Sequence, residues 1–309
     1  MRLPILFQLI RWRNLLMIAA IQLLFKYVYF PVFGIDTVLN HVHFTLLIIA
    51  TICIAAAGNI INDIQDIEAD AINKPTKVLV TKHLSKKQAN KLYYLFNILG
   101  ILIGFYIAYH VGRVSFVATF IGTALLLNVY SMSLKKRAII GNIVVSLLIS
   151  LSILIVGFFD VIPAISEQNG VDQYLAFRGL VDYSVFAFMF NFLREMVKDI
   201  EDVEGDKKLN MNTLPIVIGA KKSKYVIFGL SFVPLTIVTY YSYDNFSKLP
   251  IVLAYMLIVV QLPFLHFMTR LLYAENKKHY RYLSRLLKFI MLLGMLSIVI
   301  ISLSIHYAK

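Results

Sequence analysis

Asp63, Asp66 and Asp70 stand three and four residues apart, and the same spacing returns 136 residues later as Asp199, Asp202 and Asp206. On a helix those intervals bring side chains to one face. Asn59, Asp63, Asp66 and Asp70 then form one stripe, and Glu195, Asp199, Asp202 and Asp206 form another. Asn62 has its counterpart at the same offset in Lys198. Like charges at this spacing repel by roughly a few tenths of a kcal/mol per pair, and partial withdrawal from water adds to that cost. Something cationic must compensate. A hard divalent ion suits an all-oxygen donor set: Mg²⁺ takes about one or two carboxylates together with waters and the oxygens of a bound phosphate. The six aspartates are therefore the expected metal ligands, Asp66 and Asp202 the expected catalytic members, and a diphosphate the expected anion. Asn59, Asn62, Lys74, Lys77, Arg194 and Lys198 are the expected diphosphate contacts.

One acidic cluster alone reads as a solvated helix end, neutralised here by Lys74, Lys77, Lys207 and Lys208. Two clusters in identical spacing argue against chance. Zinc is disfavoured because His and Cys ligands are lacking nearby; His83 is the nearest histidine and reads as a loop residue. Arg194 and Glu195 carry a second reading, an intramembrane ion pair that fixes helix packing.

The elements that position these residues are apolar. The chain of 309 residues is 59% hydrophobic with a mean hydropathy of +0.75, far above an ordinary soluble domain. The expected fold class is all-α: a polytopic membrane protein built as one domain over 1–309, with nine transmembrane helices in a bundle. At ~20 residues per span, they fall at roughly 14–33, 41–62, 88–110, 112–133, 139–161, 176–198, 224–242, 248–274 and 284–307. The first run follows Arg2, Arg11 and Arg13 without a small-residue cleavage site and reads as a retained helix. Each acidic motif ends an even-numbered span, which suggests a parallel internal repeat of about 136 residues. Cys53 is the only cysteine, which excludes an intrachain disulfide.

Cationic residues alternate between loops. Lys74, Lys77, Lys82, Lys86, Lys87 and Lys91 follow the second span, Lys135, Lys136 and Arg137 the fourth, and Lys207, Lys208, Lys221, Lys222 and Lys224 the sixth. Arg270, Lys277, Lys278, Arg281 and Arg285 follow the eighth, whereas the alternate loops offer Arg113, Arg178 and Lys248. The positive-inside tendency then puts the N-terminus and both acidic motifs on the cytoplasmic side. Topology accounts for the net charge of +13, so no nucleic-acid partner is expected. Residue usage suits a prokaryotic inner membrane. His41, His43 and His110 fall on the opposite side and take no catalytic role.

The segments Asn62-Asp63-x-x-Asp66-x-x-x-Asp70, followed by Asn73-Lys74-Pro75, and Asp199-x-x-Asp202-x-x-x-Asp206 resemble the paired motifs of the UbiA superfamily of intramembrane prenyltransferases. The resemblance runs over nearly the whole chain. It implies that the motifs bind Mg²⁺ and an isoprenoid diphosphate at the cytoplasmic side of a helical bundle, with the apolar tail between helices. The stretch Asn128 to Asn142 resembles the family's Tyr-Ser segment, which implies Tyr130 and Ser131 near the reacting centre. Taken alone, Tyr130 reads as an interfacial aromatic and Lys135, Lys136 and Arg137 as topology determinants. The chain departs from the family after Pro75: Lys77-Val78-Leu79-Val80-Thr81-Lys82 stands where many members have an Arg-Pro-Leu-Pro-Ser-Gly type of segment. Lys77 keeps the charge but lacks the planar guanidinium fork.

The resemblance is strongest to the branch that alkylates prenylglycerol phosphates. It implies transfer of a prenyl group, from geranylgeranyl diphosphate, to the hydroxyl of a lipophilic acceptor within membrane lipid, giving an ether lipid. The alternative is aromatic prenylation in quinone synthesis, with a 4-hydroxybenzoate or naphthoate acceptor. A cation transporter is the remaining reading, against which stands the placement of the acids at one membrane face instead of mid-membrane.

Overall fold

The computed structural model describes residues 3–308, apart from the side chains of Lys77 and Ala308. Arg2 and the Lys77 side chain thus lie outside the described residues. The fold is all-α, and among the described residues pairing between extended segments is limited to isolated bridges at Val80 with Leu84 and at Arg137 with Asn212. A short helix α1 (Leu3–Leu9) leads into α2 (Trp12–Phe33), α3 (His41–Gln65) and a further short helix α4 (Ile67–Asn73). There follow α5 (Lys86–His110), α6 (Val114–Met132), α7 (Ile140–Ala164) and the 39-residue α8 (Gly170–Lys208). The chain closes with α9 (Leu214–Ile218), α10 (Ala220–Phe246), α11 (Pro250–Leu272) and α12 (Lys277–Ala308).

Eight of these helices are long and apolar enough to cross a bilayer among the described residues, and the chain is an integral membrane protein. The remaining expected span, the sixth in chain order at 176–198, is continuous helix inside α8. It does not meet the same test of apolarity, because Arg178, Asp182, Arg194, Glu195 and Lys198 interrupt it. The helix boundaries have local causes. Asn40 caps α3 by accepting from the His43 amide at 3.0 Å. Ser85 and Gln88 form a reciprocal capping box at the start of α5, with bonds of 3.0 and 3.2 Å.

Contacts divide the chain into two compact units, each assembled from three stretches. The first comprises Met1–Leu23, Gly34–Lys135 and Leu151–Val181. Its central helix is α3, whose apolar window is 67% buried, and glycines there and on α5 let helices approach. A Cβ at Gly58 would meet Leu127 at 2.8 Å, and one at Gly104 would meet the Phe120 ring at 2.3 Å. Leu9 packs with Ile60, Ile61, Ile64, Val80, Leu84 and Ala89 into a core directly beneath the first acidic motif. The buried Asp160 of α7 is spent on structure: its carboxylate accepts from the Leu39 amide at 2.7 Å.

The second unit comprises Leu24–Phe33, Lys136–Ser150 and Asp182–Lys309. Here Phe190, Leu193, Met196, Val197 and Ile200 of α8 pack among Ile227, Phe264, Phe267, Leu271 and Leu287. Lys224 is buried and caps the end of α11, donating to the carbonyls of Leu272 at 2.9 Å and Ala274 at 3.1 Å.

Close helix approach yields a packing prediction. Gly104→Ala drives a methyl into the buried Phe120 ring and is expected to destabilise by about 1–3 kcal/mol. Gly122→Ala opens onto empty space and is expected to leave stability unchanged or slightly higher. Thermal unfolding in detergent separates the two.

Candidate active site

The first acidic motif straddles a helix break. Asp63 belongs to the last turn of α3, and Asp66 sits between α3 and α4 with φ −96° and ψ 8°. Backbone bonds from Asp66 to Asn62, Asp70 to Asp66 and Lys74 to Asp70, at 2.9, 2.8 and 2.8 Å, carry the helical register across it. The expected stripe therefore survives the interruption. Its charges are compensated within the first unit. Arg11 Nη2 donates to Asp63 at 2.7 Å, and the guanidinium also lies in the field of Asp66 and Asp70. The Lys135 ammonium contacts Asp66, whose other oxygen accepts from Asn62 Nδ2 at 2.8 Å. Burial, reinforced by the charge of Asp66, pushes the Asp70 carboxyl above the ordinary aspartate range.

Asn59 is engaged elsewhere, donating to the Ile10 carbonyl at 2.9 Å. With the Arg11–Asp63 pair it pins the turn between α1 and α2 against α3. Arg11 holds that turn in the left-handed region, with φ 54°. Lys74 terminates α4 at φ −145°, and Lys82 bonds back to the Pro75 carbonyl at 2.7 Å, so the atypical segment after Pro75 closes on its own start.

The second motif lies within the unbroken α8. Asp199 Oδ2 accepts from Asn142 Nδ2 of α7 at 2.8 Å and lies in the field of Glu195, Asp206 and Lys198. Asp206 is buried, and Asp202 is partly so. Arg194 and Lys198 both donate to Glu195 at 2.7 Å, so Arg194 and Glu195 do pair, within a single helix. Arg194 keeps its Nε buried without a partner. On the far side of the helix Glu201 is buried and accepts from Arg281 Nε of α12 at 2.9 Å, anchoring the motif to its own unit.

Tyr130 and Ser131 occupy the end of α6, in the same unit as the first motif and four or five residues before Lys135. Ser131 is 1% exposed, and its hydroxyl has no hydrogen-bond partner among the described residues. An orphan hydroxyl of this kind costs about 1–3 kcal/mol, a cost a bound ligand relieves.

Among the described residues no three His, Cys, Asp or Glu side chains converge as a ready metal cage. The carboxylates are held instead by Arg11, Lys135 and Asn142. The donor chemistry nonetheless fits a hard cation, since it consists of carboxylate oxygens already arranged to attract positive charge. Arg11, Lys135 and Asn142 are the residues sequence reasoning missed. Arg11 and Lys135 read there only as topology determinants, although the uncompensated acidic stripe called for cations of this kind. Asn142 left a weaker signal, an amide at the start of an apolar run.

A match to the UbiA prenyltransferase family covers residues 17–301. A digeranylgeranylglyceryl phosphate synthase of Methanosphaera stadtmanae is 30% identical over 267 residues, 84% of this chain and 89% of that protein. One from Pyrococcus horikoshii is 36% identical over 59% of this chain and 61% of its own length. A solved digeranylgeranylglyceryl phosphate synthase structure superimposes with a TM-score of 0.62 at 27% identity, covering 96% of this chain and 97% of that one. The fold is also that of a UbiA homologue from Archaeoglobus fulgidus bound to DMAPP and Mg²⁺, with a TM-score of 0.57 at 17% identity over 95% and 98% of the two chains.

The Arg11–Asp63 contact is open to a double-mutant cycle. Arg11→Met leaves a largely buried carboxylate uncompensated and is expected to cost about 1–3 kcal/mol, with the half-exposed guanidinium keeping it below a fully buried pair. Adding Asp63→Asn should recover part of that loss. Unfolding of the four proteins in the absence of divalent ions measures the coupling.

Proposed function

The chain belongs to the UbiA prenyltransferase family, and from that premise we propose that it transfers a geranylgeranyl group from its diphosphate to the hydroxyl of a prenylglycerol phosphate. The observation that carries this reading is the compensated acidic motif: partly buried aspartates held by Arg11 and Lys135, in the unit that also carries the orphan hydroxyl of Ser131. The names of the relatives support the acceptor. Asp63, Asp66, Asp70, Asp199, Asp202 and Asp206 would hold Mg²⁺. When bound, the ion supplies neutralisation of the charge that develops on the leaving diphosphate.

The remaining work falls to the chain. Arg11 and Lys135, released from Asp63 and Asp66, become free donors for phosphate oxygens. Asn62, Lys74, Lys77, Arg194 and Lys198 add donors, and of these Asn62, Arg194 and Lys198 must first exchange the bonds they make to carboxylates. Asn59 contributes while holding the α1–α2 turn through Ile10. Tyr130 and Ser131 stand near the allylic carbon. As its bond to the diphosphate oxygen breaks, the apolar helices exclude water from the cationic centre. The acceptor hydroxyl oxygen then bonds to that carbon and gives up its proton to the departing diphosphate, and the products are an ether and protonated diphosphate.

We propose that the active site faces the cytoplasm, which the distribution of loop cations supports, in a prokaryotic inner membrane, which residue usage supports, with nine spans counting α8. The matching offset of the two motifs supports a parallel repeat.

Purified protein supplied with labelled geranylgeranyl diphosphate and Mg²⁺, and offered geranylgeranylglyceryl phosphate and 4-hydroxybenzoate in parallel, tests the assignment. A diether whose formation stops with EDTA is expected, whereas a prenylated aromatic would move the chain to quinone synthesis. Asp66→Ala and Asp202→Ala are each expected to abolish turnover while leaving folded protein in the membrane. Full activity in either variant contradicts the metal role.

A further inference from the structure

The two motifs are held differently. In the first unit Asp63 and Asp66 meet cations, whereas in the second unit Asp199 meets the neutral amide of Asn142 at 2.8 Å. Asn142 is 6% exposed and belongs to a series of polar contacts between α7 and α8. Ser146 Oγ donates to the Asn142 carbonyl at 2.7 Å, and Asn191 Nδ2 donates to Ser146 Oγ at 3.1 Å. Ser146 and Asn191 are 0% and 1% exposed, so this register is fixed away from water. The Asn142 backbone is thereby pinned by Ser146, and Ser146 by the helix that carries Asp199.

We infer that Asn142 is a positioning residue for Asp199, holding Oδ2 and leaving Oδ1 as the oxygen offered to a divalent cation. An amide suits this task for a chemical reason. A lysine or arginine would orient the carboxylate but would compete with the incoming ion, and an aspartate would repel the carboxylate. Asparagine fixes the rotamer without bringing a positive charge of its own that would compete with the metal, and outer hydrogen-bond partners commonly orient metal ligands in this way. Without that bond Asp199 can turn toward Lys198, whose field it already shares.

The inference rests on the metal reading of the motifs, and the test separates the two. Mn²⁺ binding is followed by electron paramagnetic resonance with inorganic diphosphate present and no prenyl donor, so no turnover enters. Asn142→Ala is expected to weaken Mn²⁺ binding about 10- to 100-fold, and Asn142→Gln, which keeps an amide donor on a longer stem, to restore part of it. Ser150→Ala removes a different buried bond of the same helix pair, Ser150 Oγ to the Ser184 carbonyl at 2.7 Å, and is expected to leave Mn²⁺ binding unchanged. Wild-type affinity in Asn142→Ala overturns the inference, as does an equal loss in Ser150→Ala, which would mark general packing. Should the alanine protein fail to fold, Asn142→Gln carries the comparison, and wild-type affinity there together with loss in Ser150→Ala also overturns it. Failure of the wild-type protein to bind Mn²⁺ with diphosphate overturns the metal reading and this inference with it.

Discussion

Carboxylates crowded at the end of a membrane helix cannot stand alone, and much of the local structure follows from that constraint. Their mutual repulsion grows as water is withdrawn, because charge is poorly screened in apolar surroundings. Each unit answers it with donors from its own elements. In the first, Arg11 reaches Asp63 from a turn held in a left-handed conformation, and Lys135 reaches Asp66 from beyond α6. In the second, the neutral amide of Asn142 holds Asp199 and the Glu201–Arg281 pair anchors α8.

These contacts explain features that helix propensity alone does not. The short α1 has too few residues to be stable by itself, yet Leu9 is fully buried and Asn59 bonds to Ile10. The docking of α1 thus serves the placement of Arg11. Likewise α8 extends well beyond the ~20 residues a bilayer needs, and the excess carries the second motif out to Asp206 while its apolar face stays packed in the core of its unit.

The sequence made the acidic motifs legible because chemistry-bearing residues at helical spacing are a local pattern. Six aspartates in two sets of identical spacing can be read without knowing which helices touch. The apolar runs were equally legible, and eight of the nine expected spans meet the test of length and apolarity. The sixth is helix as expected but is weakened by Arg178, Asp182 and the charged residues that precede its motif. What sequence could not show was pairing. Arg11 is 52 residues from Asp63, Lys135 is 69 from Asp66 and Asn142 is 57 from Asp199. Nothing in local spacing selects those partners. The helix break at Asp66 was also hidden, since the residues on either side of it favour helix and only the backbone angles of Asp66 reveal it.

The central claim is that the aspartates recognise a diphosphate through a divalent ion and not through the chain's own cations alone. Calorimetric titration of inorganic diphosphate into the purified protein, with Mg²⁺ and again with EDTA, tests it most directly. The account predicts saturable binding with Mg²⁺ that disappears in EDTA. Equal affinity in the two conditions would contradict it and assign the diphosphate to Arg11, Lys135 and the neighbouring lysines instead.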